Sequence, residues 1–328
     1  MYSNFIKTTF LLSSIIPQYD IYPSGENIVF EIKTEGIIVT GGYDIKQGKD
    51  VYNPLKDSDI QIGDMIIEID NMKVNSIKEF MKIFSTYSTN DTITLNIMRN
   101  KSKITRKLKV FKINGQVKTG LYVKDRILGV GTLTFIDTDN NIYGALGHEV
   151  MDNSQIVNVS TGEIYKESVT HITKGYNGNP GEKSTTTKLN VSLGDIKENT
   201  EFGLFGTINE KYTPNYALEL GNKDEIKLGK AKILTCISGN KIEEFDIEIT
   251  NLKNQKEKDL KGITFKITDK RLLNEVGGIY SGMSGSPIIQ DDKIVGAVTH
   301  VVVNDIKYGY GVYIEYMYAE ALEKMKIK

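Results

Sequence analysis

Short runs of β-branched and aromatic residues, cut every few positions by Gly, Asn or Asp, are what most restrict the fold of this chain. NIVFEI, GIIVTGG, DTITLNIM, RKLKVFKI, GTLTFID, NIYGAL, KILTCI, EFDIEIT and GITFKIT all read as strands with turns between them. Only two segments carry the apolar spacing of a helix. One is 77–84 (IKEFMKIF), with Ser76 placed to act as N-cap. The other is 314–326, where Tyr316, Ala319, Leu322 and Met325 fall on one face. The expectation is a mainly β, mostly antiparallel protein with few helices. A chain of 328 residues has room for two domains, each with its own core.

The charge balance narrows the partners. With 41 basic and 42 acidic residues interspersed along the chain, there is no electrostatic footprint for nucleic acid. The one basic run, KSKITRKLK at 101–109, alternates with Ile104 and Leu108 and reads as the exposed face of a strand. Cys236 is the sole cysteine, which excludes a disulfide framework and a cysteine-based metal site. Set between Thr235 and Ile237, with no electropositive neighbour, it reads as a small buried hydrophobe rather than a nucleophile. The first 24 residues stand apart. Their apolar stretch at 10–16 is shorter than the ~20 residues a membrane span needs, and suits a signal, the remnant of an anchor, or a strand.

Residues 25–112 have a recognisable order. A strand at 36–40 is followed by SDIQIGDMIIEIDNMKV (58–74), which supplies a Gly63-Asp64 turn, a strand and an Asp70-Asn71 turn. The helix from Ser76 and a closing hairpin complete it. This order resembles a PDZ domain, a small α+β fold that binds an extended peptide as an added strand. The resemblance implies a carboxylate-binding loop at 33–36 and a peptide-binding edge at Ile37, Ile38 and Val39, although KTEG departs from the usual Gly-apolar-Gly-apolar loop. The competing reading is a small domain that only packs on its neighbour. GYNGNPGEKSTTT (175–187) is rich in turn formers and reads as an exposed loop.

The remaining 113–328 carries the chemistry. GVGTLTFIDTDNNIYGALGHEV reads as strand, turn and return strand ending in Gly147-His148. A histidine just past a strand end has a rigid support and a free edge, as a general base requires, though a surface loop histidine fits the same pattern. Further on, SGMSGSPII puts Ser284 among Gly282, Gly285 and Pro287. Glycines allow the N–H groups of Gly282 and Ser284 to converge on one point, where they would stabilise an oxyanion. GMSGSP matches the Gly-x-Ser-Gly-x-Pro loop of trypsin-like proteases, and the hairpin ending in His148 resembles their Ala-Ala-His strand end. Together the two motifs imply a chymotrypsin-like double β-barrel serine peptidase domain.

GALGHEV, NTEFGLFG, ITDKRLL, GGIYSGMSGSPI and GAVTHVVVNDIKYGYGVYIEYM, following a PDZ-like domain, resemble more closely the SpoIVB sporulation peptidases. The resemblance implies His148 as base, Ser284 as nucleophile and Asp269 as acid. The spacing of chymotrypsin-like proteases favours Asp195 instead, so both acids stay open. It also implies secretion from the forespore into the space between the forespore and mother-cell membranes, with the N-terminus as a candidate tether. There the enzyme would cleave a membrane-bound regulator of an intramembrane protease complex, trigger sigma-factor activation, and cut itself near its N-terminus. No cofactor or metal is expected: His148, His171 and His300 lack the spacing of a three-imidazole zinc site. His300 reads as a cleft or structural residue, and His171 as a strand-end residue. The alternative function is a catalytically silent adaptor in which both domains only bind peptides.

Overall fold

The computed structural model describes residues 20–89, 91–153, 155–209, 216–255 and 257–327. The apolar stretch at 10–16 lies outside the described residues. Among the described residues no helix is long and apolar enough to cross a membrane.

After a short strand at Asp20–Pro23 comes β1 (Asn27–Gly42), a 16-residue strand that serves two bodies. Its second half joins β2 (Met65–Ile69), α1 (Ile77–Phe84), β3 (Thr92–Arg99) and β4 (Ser102–Lys109) around a core of Ile37, Ile66, Phe80, Phe84, Leu95 and Leu108. Ser76 caps α1 by accepting the Glu79 N–H at 3.2 Å. β4 alternates as its sequence demands: Ile104, Arg106 and Leu108 share one face, with Leu108 buried and Arg106 half-buried on Asp59, while Lys103 on the exposed face pairs with Glu68. This is the small α+β domain read from the sequence.

The chain returns on β5 (Leu121–Asp137), which runs antiparallel to β1 along nearly its whole length. β1 is shared: its first half is built into the larger body and its second half into the small domain. One expectation changes here. The edge at Ile37, Ile38 and Val39 is not open. Ile37 and Ile38 pair with Ile66 and Met65 on one side, and Ile38 and Val39 pair with Lys124 and Val123 of β5 on the other. A strand whose backbone groups are paired on both edges has none left to offer a peptide.

The larger body is two closed rings of strands. After β5 come β6 (Ile142–Ala145), β7 (Thr161–Thr173), β8 (Gly181–Thr200) and β9 (Gly203–Ile208). The antiparallel pairings run β1–β5–β6–β9–β8–β7 and back to β1, a six-stranded barrel around Ile28, Phe30, Leu133, Tyr143, Ile164 and Leu204. The expected exposed loop at 175–187 is therefore strand from Gly181 onward.

The second ring uses β10 (Gly229–Thr235), β11 (Glu243–Leu252) and β12 (Ile263–Ile267). Then α2 (Lys270–Val276) and β13 (Tyr280–Ser281) lead to β14 (Pro287–Gln290), β15 (Lys293–Val301) and β16 (Tyr308–Tyr313). It closes as β15–β16–β12–β11–β10–β14 and back to β15, around Ile233, Phe245, Ile247, Phe265 and Ile288. Closure leaves neither barrel with a free edge inside its ring. The last helix, α3 (Ile314–Lys324), presses Ile314, Met317, Tyr318 and Ala321 into the apolar seam between the barrels. That face is rotated from the expected one. Ala319 is exposed, because Phe135 and Ile142 of the first barrel offer their surface to Met317 and Tyr318.

Candidate active site

The seam between the barrels is where the two singled-out loops meet. β6 ends at Ala145, and Leu146 and Gly147 both take left-handed φ values, +72° and +71°. This double kink turns the chain out of the barrel and delivers His148 to the seam, with Gly147 packed over Ala297, Val298 and Thr299 of β15.

The Ser284 loop is pinned from both sides. Thr132 of β5, fully buried, donates its N–H to the Ser284 carbonyl at 2.9 Å and its hydroxyl to the Gly282 carbonyl at 2.8 Å. On the other side the Gly285 N–H donates to the Val298 carbonyl at 2.7 Å, and the Val298 N–H to the Ser286 carbonyl at 2.9 Å. The Ser284 hydroxyl donates to the Thr299 carbonyl at 2.9 Å. The next residue, His300, places its ring 5.2 Å from that of His148, centroid to centroid. His148, Ser284 and His300 thus share one locale, each held by a different loop or strand end. The Ser284 N–H has no acceptor among the described residues, as an oxyanion donor should.

His148 is half-buried, and its Nδ1 lies 2.8 Å from the Glu149 carbonyl oxygen. A carbonyl can only accept, so Nδ1 carries the proton and Nε2 is left with its lone pair. Burial lowers the His148 pKa; the Glu149 carbonyl and carboxylate act against this. The His300 pKa is lowered too, to about 4, chiefly by desolvation and then by His148. The neutral imidazole needed to accept a proton is therefore favoured.

Neither expected acid is bonded to the base. Asp269 caps α2, its carboxylate accepting the Leu272 N–H at 2.8 Å. Asp195 lies on β8 with its carboxylate half exposed and 3.0 Å from Lys197 Nζ. No hydrogen bond or ion pair among the described residues joins either aspartate to His148. The carboxylate whose field reaches both imidazoles belongs to Glu149, whose Oε2 is buried without a partner among the described residues. The sequence displayed Glu149 beside His148 in GHEV, but adjacency gave no reason to choose it. Thr132 and the Thr299 carbonyl carried no signal at all, since their roles depend on strands meeting across the seam. His171 stands exposed on β7, and no group of three metal-ligating side chains occurs among the described residues. Cys236 is buried, and its thiol pKa is raised by that burial.

Comparison with known proteins adds the family. The family model for SpoIVB peptidase S55 matches residues 115–318, and that for a PDZ domain matches 50–110. No curated protein matches the chain. Among solved structures, the PDZ domain of the SdrC-like protein from Listeria monocytogenes is 23% identical, covering 28% of this chain and 90% of its own, with a TM-score of 0.23. The active form of the Rv3671c protease from M. tuberculosis is 12% identical, covering 61% of this chain and 74% of its own, with a TM-score of 0.35. Its inactive form is 14% identical, covering 60% and 84%, with a TM-score of 0.34. With the matched peptidase segment spanning more than half of its length and containing both His148 and Ser284, the chain is a serine peptidase that carries a PDZ domain and belongs to the SpoIVB peptidase S55 family.

Proposed function

We propose that this peptidase is a signalling endopeptidase of spore formation, with Ser284 as nucleophile and His148 as its base. One observation carries the catalytic assignment: the Ser284 loop and the His148 kink are fastened to the same two strands, β5 and β15. In the resting state the Ser284 hydroxyl is parked on the Thr299 carbonyl. Rotation about its Cα–Cβ bond, which staggered rotamers allow, releases it toward the His148 Nε2 lone pair. Nε2 takes the hydroxyl proton as Oγ attacks the peptide carbonyl. The tetrahedral oxyanion collapses as the same proton passes to the leaving amine, giving an acyl-enzyme that water then hydrolyses. The Glu149 carbonyl holds the tautomer, a task that a carboxylate performs in a triad.

The family supports the wider reading. The enzyme is secreted from the forespore into the intermembrane space, where it cleaves a membrane-bound regulatory protein, and through that cut a mother-cell sigma factor is activated. The PDZ domain contacts a protein partner by a surface other than Ile37–Val39. The test is replacement of the native gene in its sporulating host by a Ser284→Ala allele. The expected result is normal engulfment, no late mother-cell sigma reporter signal and at least a ~10³-fold loss of heat-resistant spores. Wild-type sporulation with the allele would overturn the role.

A further inference from the structure

The most deeply buried ion pair among the described residues lies beneath the Ser284 loop. Lys183 Nζ and Glu167 Oε2 are 2.6 Å apart, and their side chains are 1% and 0% exposed. Glu167, on β7, also accepts the Thr185 hydroxyl at 2.5 Å. Lys183 follows the two residues of β8 that pair in parallel with β13, Gly181 with Tyr280 and Glu182 with Ser281. That register sets Lys183 opposite Gly282. A Cβ on Gly282 would lie 2.4 Å from Lys183 Cε and 2.9 Å from Nζ, so the lysine fills the space a side chain would take. Gly282 itself sits at φ +104°, a conformation that L-residues with side chains avoid.

Such a pair is a poor device for stability. Desolvating two charges cancels much of their attraction, and apolar residues of equal volume commonly do as well. What a short, fully buried ion pair does supply is a fixed position and an oriented dipole that water cannot screen.

We propose that the Lys183–Glu167 pair is the positioning element of the oxyanion loop, fixing the Gly282 backbone and setting the positive end of a buried dipole behind the developing negative charge. The inference rests on the serine peptidase reading above. Lys183 touches neither substrate nor the reacting atoms. It acts through Gly282, and its loss should therefore appear in the transition state and not in substrate binding.

The test compares wild type with Lys183→Met, which keeps the stem volume, and with the neutral double variant Lys183→Met/Glu167→Gln, which leaves no buried charge behind. Each is assayed for kcat and KM on a fluorogenic peptide and for affinity toward a peptidyl boronic acid that mimics the tetrahedral intermediate. The expected result is a 10- to 100-fold lower kcat, an unchanged KM and a boronate affinity lowered by the same factor, on the scale of a displaced oxyanion donor. If Lys183→Met does not fold, the neutral double variant decides alone. A folded double variant with kcat and boronate affinity within about twofold of wild type overturns the proposal. Failure of the peptidase reading looks different: wild type would then leave the peptide uncut and take up no fluorophosphonate.

Discussion

Gly285→Ala puts the joint between the barrels under direct strain. Gly285 sits at φ +95°, where a Cβ costs about 1–2 kcal/mol. The added Cβ would stand 2.1 Å from the Thr132 carbonyl oxygen, 2.6 Å from Leu146 N and 3.0 Å from Leu146 Cα. All three are backbone atoms, belonging to β5 and to the kink that delivers His148, so no side chain can swing aside. Relief requires the Ser284 loop and the His148 kink to part by about 1 Å, adding an overpacking cost of about 1–3 kcal/mol. A displacement of that size between reacting groups is worth about 10² in rate. The expectation is a loss of about 2–5 kcal/mol in urea unfolding and at least a ~100-fold lower kcat/KM in the fraction that remains folded. Gly48→Ala is the control. Its φ is +61° and nothing lies within 4 Å of the new methyl, so it should cost only about 1–2 kcal/mol and leave the rate unchanged. Gly285→Ala with kcat/KM within threefold of wild type would refute the reasoning.

Other outcomes follow from the same geometry. Ser284→Ala and His148→Ala should each abolish turnover of a peptide substrate, and the double variant should be little worse than either single one; additive losses would mean that the two do not act as a unit. Asp269→Ala should cost ~1 kcal/mol by uncapping α2, Asp269→Ser should restore most of it, and both should keep activity within about tenfold of wild type. A ~10⁴-fold fall in kcat with unchanged stability would return Asp269 to the role of acid. Because burial lowers the His148 pKa, the acid limb of kcat/KM should lie below pH 6.5, the ordinary histidine value. Glu149→Gln removes a charge that raises it and should push the limb lower still; a shift upward would contradict the placement of Glu149. Since the folded protein holds His148 and His300 below their unfolded pKa, it binds fewer protons than the unfolded chain. Stability should be full above about pH 6.5 and decline below it, measurable by unfolding across that range.

The parts of this molecule that were legible in its sequence are those fixed by local pattern. Alternation gave the strands, Ser76 gave the start of α1, and the glycine-bracketed Ser284 and strand-end His148 were visible as loops with a purpose. What escaped depends on contacts between distant segments. The edge at Ile37–Val39 looked open because nothing local reveals that β5, more than 80 residues later, pairs along it. Asp269 stands at the start of a seven-residue helix too short to announce itself by periodicity, so its capping role was hidden. Lys183 lay in a stretch dense with Gly, Asn, Pro and Thr that composition assigns to a loop. Pairing with β7 made it a strand and buried its ammonium.

Labelling with a fluorophosphonate probe, followed by peptide mass mapping, tests the central pairing most directly. Wild-type protein should carry one adduct, on Ser284, and His148→Ala should react at least ~100-fold more slowly because the hydroxyl has lost its proton acceptor. An adduct elsewhere, or equal labelling rates with and without the imidazole, would contradict the account.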